Sequence, residues 1–60
     1  MNKNEFITVC SDFDFTCMQH KKLEFFIIVD RKTQCYTKTD NCIMKVKNNI
    51  SNYKWEKFDN

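Results

Sequence analysis

Two stretches near the start of the chain are β-prone, and as strands they would direct successive side chains to opposite faces of a sheet. They are residues 5–10 (EFITVC) and residues 15–19 (FTCMQ). Between them lies SDFD at 11–14, and Ser and Asp side chains favour turns because they can bond to the nearby backbone. We therefore expect the two strands to form a hairpin.

The most apolar stretch of the chain predicts the centre of a sheet. Residues 23–30 (LEFFIIVD) form an almost continuous hydrophobic run between HKK and DRK. Such a run is typical of a strand that is covered on both faces. A further strand is expected over 33–38 (TQCYTK), followed by a turn at 39–41 in which Asn41 takes the left-handed conformation.

The segment after Cys42 fits two patterns. Residues 42–47 (CIMKVK) alternate as a strand would. A helix is the other interpretation, with Asp40 as its N-cap and one apolar face made of Ile43, Val46, Ile50 and Tyr53. We favour a strand to residue 47, a turn over 48–51 and a last strand or short helix over 52–58.

These elements predict a single mostly β domain over residues 1–60. Its core would be a small antiparallel sheet of four or five strands, either closed into a barrel-like shape or accompanied by a short C-terminal helix. A chain of 60 residues buries only about 60% of its unfolded surface. Small-molecule sites occupy clefts of roughly 300 Å³ or more. We therefore expect no enzyme, since so short a chain can hardly both fill a core and enclose a cleft.

The four cysteines form two equally spaced pairs, Cys10 with Cys17 and Cys35 with Cys42. A hairpin centred midway between the members of a pair places the two cysteines directly across from each other. Opposed residues have Cβ atoms about 4.5–5.5 Å apart. The spacing therefore predicts that each pair of sulfur atoms meets across a hairpin.

Three uses of these thiols remain open from sequence. The first is four free thiols that pack as small apolar residues. The second is two disulfides, for which four cysteines allow three pairings. The third is a structural zinc ion bound by Cys10, Cys17, Cys35 and Cys42, although zinc ligands usually come in pairs separated by two to four residues. Apart from that zinc ion, no cofactor is expected.

Charged and aromatic residues indicate two candidate partner-binding surfaces. Residues 1–30 contain five acidic and three basic side chains, whereas residues 31–60 contain seven basic and three acidic ones. Such asymmetry can steer a partner. The first surface interleaves aromatic and basic side chains near the C-terminus, namely Lys45, Lys47, Tyr53, Lys54, Trp55 and Lys57. The second is the acidic turn formed by Asp12, Phe13 and Asp14.

The sequence favours a small non-enzymatic protein-binding module. The abundance of Asn, Lys, Ile and Phe without Gly or Pro is typical of AT-rich genomes, many of them viral or phage. We therefore expect an accessory or inhibitor protein that covers a partner's surface in the cytoplasm, the host's if the chain is viral. Homodimerisation through an edge strand is a second expected interaction, and no membrane contact is expected.

Two alternative functions follow from the same residues. One is a zinc-stabilised module that binds nucleic acid with the C-terminal lysines and aromatics, since bases stack on aromatic rings and lysines neutralise phosphates. The other is a secreted peptide held by disulfides. No segment of the sequence has the long apolar region of a secretory signal, which favours the cytoplasmic interpretation.

Overall fold

A computed structural model describes residues 1–39 and 42–59 of the chain. The two residues proposed above as an N-cap and as a left-handed turn residue, Asp40 and Asn41, lie outside this part. The elements in chain order are a 3-10 turn (Lys3–Glu5), β1 (Phe6–Ser11), β2 (Phe15–His20), β3 (Phe26–Asp30), β4 (Cys35–Thr39), α1 (Ile43–Asn48), a second 3-10 turn (Ile50–Asn52) and β5 (Glu56–Lys57).

The strands form one antiparallel sheet in the order in which they occur along the chain, β1-β2-β3-β4-β5. The prediction of a mostly β fold with four or five strands is therefore confirmed. Within the described residues the sheet is open, with β1 and β5 at its edges, and does not close into a barrel. Of the two predicted architectures, a closed barrel or a sheet accompanied by a short helix, the structure has the second.

β3 is the middle strand, as its continuous apolar sequence predicts. Ile27, Ile28 and Val29 are all buried, because successive residues contact opposite faces of the sheet and both faces are covered. The strand begins at Phe26 rather than at Leu23, whose side chain is 60% exposed in the preceding loop.

The core consists of two hydrophobic clusters, one on each face of the sheet. We call the first the helix face, because α1 and the segment after it cover it. It contains Phe15, Cys17, Ile28 and Val46, with Phe26, Ile43, Tyr53 and Trp55 partly buried around them. The second, which we call the terminal face, is covered by the ends of the chain and contains Phe6, Met18, Ile27, Val29 and Tyr36, with Met1, Phe25 and Phe58 partly buried around them.

The strand predicted over residues 42–47 is wrong, because residues 43–48 form α1. Cys42 is the N-cap residue, and its side chain makes no capping hydrogen bond. So short a helix is stabilised mainly by packing, here by the fully buried Val46 and the partly buried Ile43 against the helix face. No helix in the described part of the chain is long and apolar enough to cross a lipid bilayer.

β1 and β2 pair with one irregularity. Cys10 lies opposite Cys17, as predicted, but Thr8 lies opposite Met18. Val9 is therefore an extra residue in β1, which makes this position a β-bulge. The cysteines keep the register of the turn, in which Ser11 lies opposite Thr16, and the bulge beyond them shifts the register so that Phe6 joins the terminal-face core.

Candidate functional site

The candidate site is the turn between β1 and β2, which its own acidic residues organise. Asp12 Oδ1 accepts hydrogen bonds from the backbone N–H groups of Asp14 at 2.9 Å and Phe15 at 2.8 Å. The Asp12 N–H in turn donates to the Phe15 carbonyl oxygen at 2.9 Å. This use of the Asp side chain is what the sequence SDFD predicts.

A lysine from α1 holds the turn from one side. Lys47 Nζ lies 3.1 Å from Asp12 Oδ2 and 3.7 Å from Asp14 Oδ2. The N–H groups of Phe15 and Asp14 hold the pKa of the Asp12 carboxyl below its usual value, and Lys47 lowers this pKa further. The hydrogen bond to Asp12 raises the pKa of the Lys47 ammonium. The pair is therefore fully ionised at neutral pH.

An arginine from the β3–β4 loop holds the turn from another side. The Arg31 guanidinium donates to the Asp12 carbonyl oxygen at 2.8 Å, and the Arg31 backbone N–H donates to the Asp14 carbonyl oxygen at 3.0 Å. Since Arg31 and Lys47 come from different elements, the turn is fixed to two parts of the fold outside its own hairpin.

Phe13 stands at the tip of this fixed turn with its side chain 91% exposed. It is the most exposed of the large hydrophobic side chains that the structure describes. An open groove of about 500 Å³ lies beside it and is lined by Phe13, Asp14, Asp30, Arg31 and Lys32. The arrangement presents an aromatic ring next to side chains of both charges.

The C-terminal aromatics predicted as contact residues are partly buried against the helix face. The Trp55 ring stacks on Phe15 with centroids 6.0 Å apart, and its Nε1–H donates to the Ile50 carbonyl oxygen at 3.2 Å. Tyr53 is partly buried in the same helix-face cluster. The lysines at 45, 54 and 57 are exposed, whereas Lys47 is engaged at the acidic turn.

The two cysteine pairs differ in structure. Cys10 and Cys17 face each other as expected. The prediction that Cys35 faces Cys42 is wrong, because Cys35 pairs with Lys57 of β5 and the chain enters α1 at Cys42 instead of returning as a strand. In residues 1–39 and 42–59, no three His, Cys, Asp or Glu side chains form a group that could hold a metal ion.

The structural roles of two residues, Gln34 and Arg31, were not predicted from the sequence. Gln34 has a positive φ of 62°; glycine usually takes this conformation, and the chain contains none. Its backbone N–H closes the β3–β4 loop by donating to the Asp30 carbonyl oxygen at 2.8 Å. Arg31, the other, lies in the polar segment before β4, and no local signal connects it with a turn nearly twenty residues earlier.

Comparison with known proteins finds no matching family model, no similar curated protein and no similar solved structure.

Proposed function

We propose that this chain is a small non-enzymatic module that binds a protein partner through the Phe13 turn and acts by covering the partner's surface. The observation that carries the proposal is the 91% exposure of Phe13 on a turn fixed by Lys47 and Arg31. Interface centres are enriched in aromatic residues, and a few such anchors dominate binding energy.

The fixed geometry of the turn supports this use. Ordering a side chain or loop on binding costs about 0.5–1.5 kcal/mol for each immobilised side chain. Here the hydrogen bonds of Asp12 and Arg31 already order the backbone around Phe13. A partner that receives the Phe13 ring would therefore lose less conformational entropy than with a mobile loop.

The surroundings of Phe13 match the anatomy of a small protein interface. Asp14, Asp30, Arg31 and Lys32 line the adjacent groove and would form a polar rim around a central aromatic contact. Mixed charges at a rim influence which partner is accepted and how fast it associates. An accessory or inhibitory protein in the cytoplasm would act in this steric way.

The alternative function, nucleic-acid binding, has less support. Trp55 and Tyr53 are partly buried in the helix-face cluster, so that less of each ring is available to stack on bases. The exposed lysines could still neutralise phosphates, and binding through them would weaken steeply with salt. We therefore keep nucleic-acid binding as an outcome that the experiment below can reveal.

The test compares Phe13→Ser with Leu23→Ser, a matched control because Leu23 is also an exposed apolar loop residue, at 60%. Immobilised wild type and both variants are incubated with nuclease-treated extract of the cells in which the chain is naturally made, and bound proteins are quantified by mass spectrometry. We expect one dominant protein on wild type and on Leu23→Ser. Its affinity for Phe13→Ser should fall about thirtyfold, as for an interface hot spot worth about 2 kcal/mol.

Two results would contradict the proposal. In the first, Phe13→Ser retains every protein that wild type retains. In the second, wild type shows no dominant protein, and fluorescence anisotropy detects salt-sensitive binding to single-stranded DNA or RNA that all three chains share.

A further inference from the structure

Cys10 and Cys17 are paired across two strands and are not joined by a disulfide. They are direct partners across β1 and β2, neither belongs to a disulfide, and the two side chains lie within hydrogen-bonding reach of each other. Opposed residues of an antiparallel pair have Cα atoms about 4.5–5.5 Å apart, which falls inside the span of about 4.4–6.8 Å seen in disulfides. The bond can therefore form without moving the backbone far.

The two thiols differ in their access to solvent. Cys10 is exposed, whereas Cys17 is fully buried beneath α1 in the helix-face cluster. Burial raises the pKa of the Cys17 thiol to about 11, and the neighbouring Cys10 adds to this rise. Of these two thiols, an external reagent can reach only Cys10.

We propose that Cys10 and Cys17 form a redox-active dithiol that a low-molecular-weight disulfide converts into a cross-strand disulfide. Cys10 is the attacking thiol and Cys17 is the resolving thiol. The proposal does not rest on the function assigned to Phe13. The proposal concerns only the first cysteine pair. In the second pair Cys35 lies opposite Lys57 and not opposite Cys42.

The reaction proceeds by two thiol–disulfide exchanges. In the first, Cys10 loses its proton, its sulfur bonds to one sulfur of the reagent RSSR, and the S–S bond of the reagent breaks to release RSH. In the second, Cys17 loses its proton and bonds to the Cys10 sulfur, and the mixed disulfide breaks to release a second RSH. Two protein thiols are thereby oxidised to one disulfide, and one RSSR is reduced to two RSH.

The product would be reversible in a reducing compartment. Intracellular disulfides are usually transient and redox-sensing, and an excess of reduced thiol would reverse both exchanges. The disulfide would also be specific, because Cys35 and Cys42 would yield single adducts with the same reagent.

The test uses glutathione disulfide on the Cys35→Ser/Cys42→Ser protein, which keeps both proposed residues. The reaction is quenched with N-ethylmaleimide and followed by intact mass and peptide mapping. We expect the mass to fall by two hydrogen atoms, both thiols to become resistant to alkylation, and dithiothreitol to restore them. Adding Cys17→Ala should instead trap one stable glutathione adduct on Cys10, and adding Cys10→Ala should leave Cys17 unmodified.

The Cys35→Ser/Cys42→Ser protein tests the proposal by itself, even if the additional Cys17→Ala substitution disturbs the core. A glutathione adduct that persists on Cys10 while Cys17 stays reduced would overturn the proposal. So would a first glutathione adduct that maps to Cys17 instead of Cys10. Formation of a Cys10–Cys35 or Cys17–Cys42 bond in the oxidised wild type, in place of Cys10–Cys17, would overturn it as well.

Discussion

The ammonium nitrogen of Lys47 lies 3.1 Å from Asp12 Oδ2, so that one side chain of α1 fixes the β1–β2 turn. The two residues are 35 positions apart in the chain. The contact connects the helix that covers one face of the sheet with the hairpin tip that carries Phe13. Loss of this ion pair should therefore loosen the turn more than it disturbs the packing of the core.

Lys47→Met should change the acid titration of Asp12. In the wild type the pKa of this carboxyl lies below the usual value of an aspartate, chiefly because of the Phe15 and Asp14 N–H groups. Removing Lys47 should raise the pKa only part of the way, since those N–H bonds remain. A carboxyl with a lowered pKa stabilises the fold above its unfolded pKa, and this stabilisation is lost as the pH falls through the folded pKa.

Carboxyl chemical shifts recorded by NMR against pH check this prediction. The exposed Lys54 provides the control, and Lys54→Met should leave the Asp12 curve unchanged. Equal shifts of that curve in both variants would show that overall charge is responsible and not the contact. The free energy of unfolding should also decrease less with falling pH in Lys47→Met than in the wild type.

Val46→Ala should destabilise the protein by about 2 kcal/mol, through lost burial and the cavity that remains. Val46 is fully buried and is the residue of α1 that enters the helix-face core. Met44→Ala in the same helix is the control, because Met44 is 61% exposed and surface changes stay within about 0.5 kcal/mol. Urea unfolding followed by Trp55 fluorescence measures both, and equal losses would mean that α1 does not pack as described.

The reduced protein should lose stability between pH 9 and pH 11 partly because of Cys17. The pKa of this thiol is raised from 9.0 to about 11 by burial. A group with a raised pKa contributes its stabilisation fully below the unfolded pKa and loses it as the pH rises through the folded pKa. Urea midpoints should therefore fall less steeply over this range in Cys17→Ala than in Cys42→Ala, whose altered residue is exposed in the wild type.

Gln34→Gly should be more stable than Gln34→Val by about 1–2 kcal/mol, the cost of left-handed backbone for a residue with a Cβ. The comparison is matched, because both variants lose the 2.8 Å hydrogen bond from Lys3 Nζ to the Gln34 side chain. Only the valine must hold a branched side chain at a φ of 62°. Thermal unfolding of the two variants decides the question, and similar melting temperatures would place the loop in another conformation.

The parts of the fold that sequence predicts well are those fixed by local pattern. The run through Ile27, Ile28 and Val29 requires a strand covered on both sides, and that is where β3 lies. The Asp residues around Phe13 indicate a turn, and their backbone hydrogen bonds are local. The opposition of Cys10 and Cys17 follows from the same hairpin.

The remainder depends on contacts between residues far apart in the chain. Residues 42–47 satisfy both the strand and the helix pattern, and packing of Val46 on the sheet decides for the helix. Only part of the candidate site can be predicted from sequence, because the rest depends on contacts between distant residues. Asp12 and Phe13 could be found from the turn, whereas Lys47 and Arg31 reach it only through the tertiary fold.

The bulge at Val9 has a consequence for how copies of this chain meet. β1 is an edge strand with no charged side chain among its six residues, and such a strand is a ready template for fibrils. One extra residue in the middle interrupts the even spacing of donors and acceptors that cross-β stacking requires. The residue that shifts the register of β1 beyond the cysteines is therefore expected to hinder stacking of further copies along the free edge of this strand.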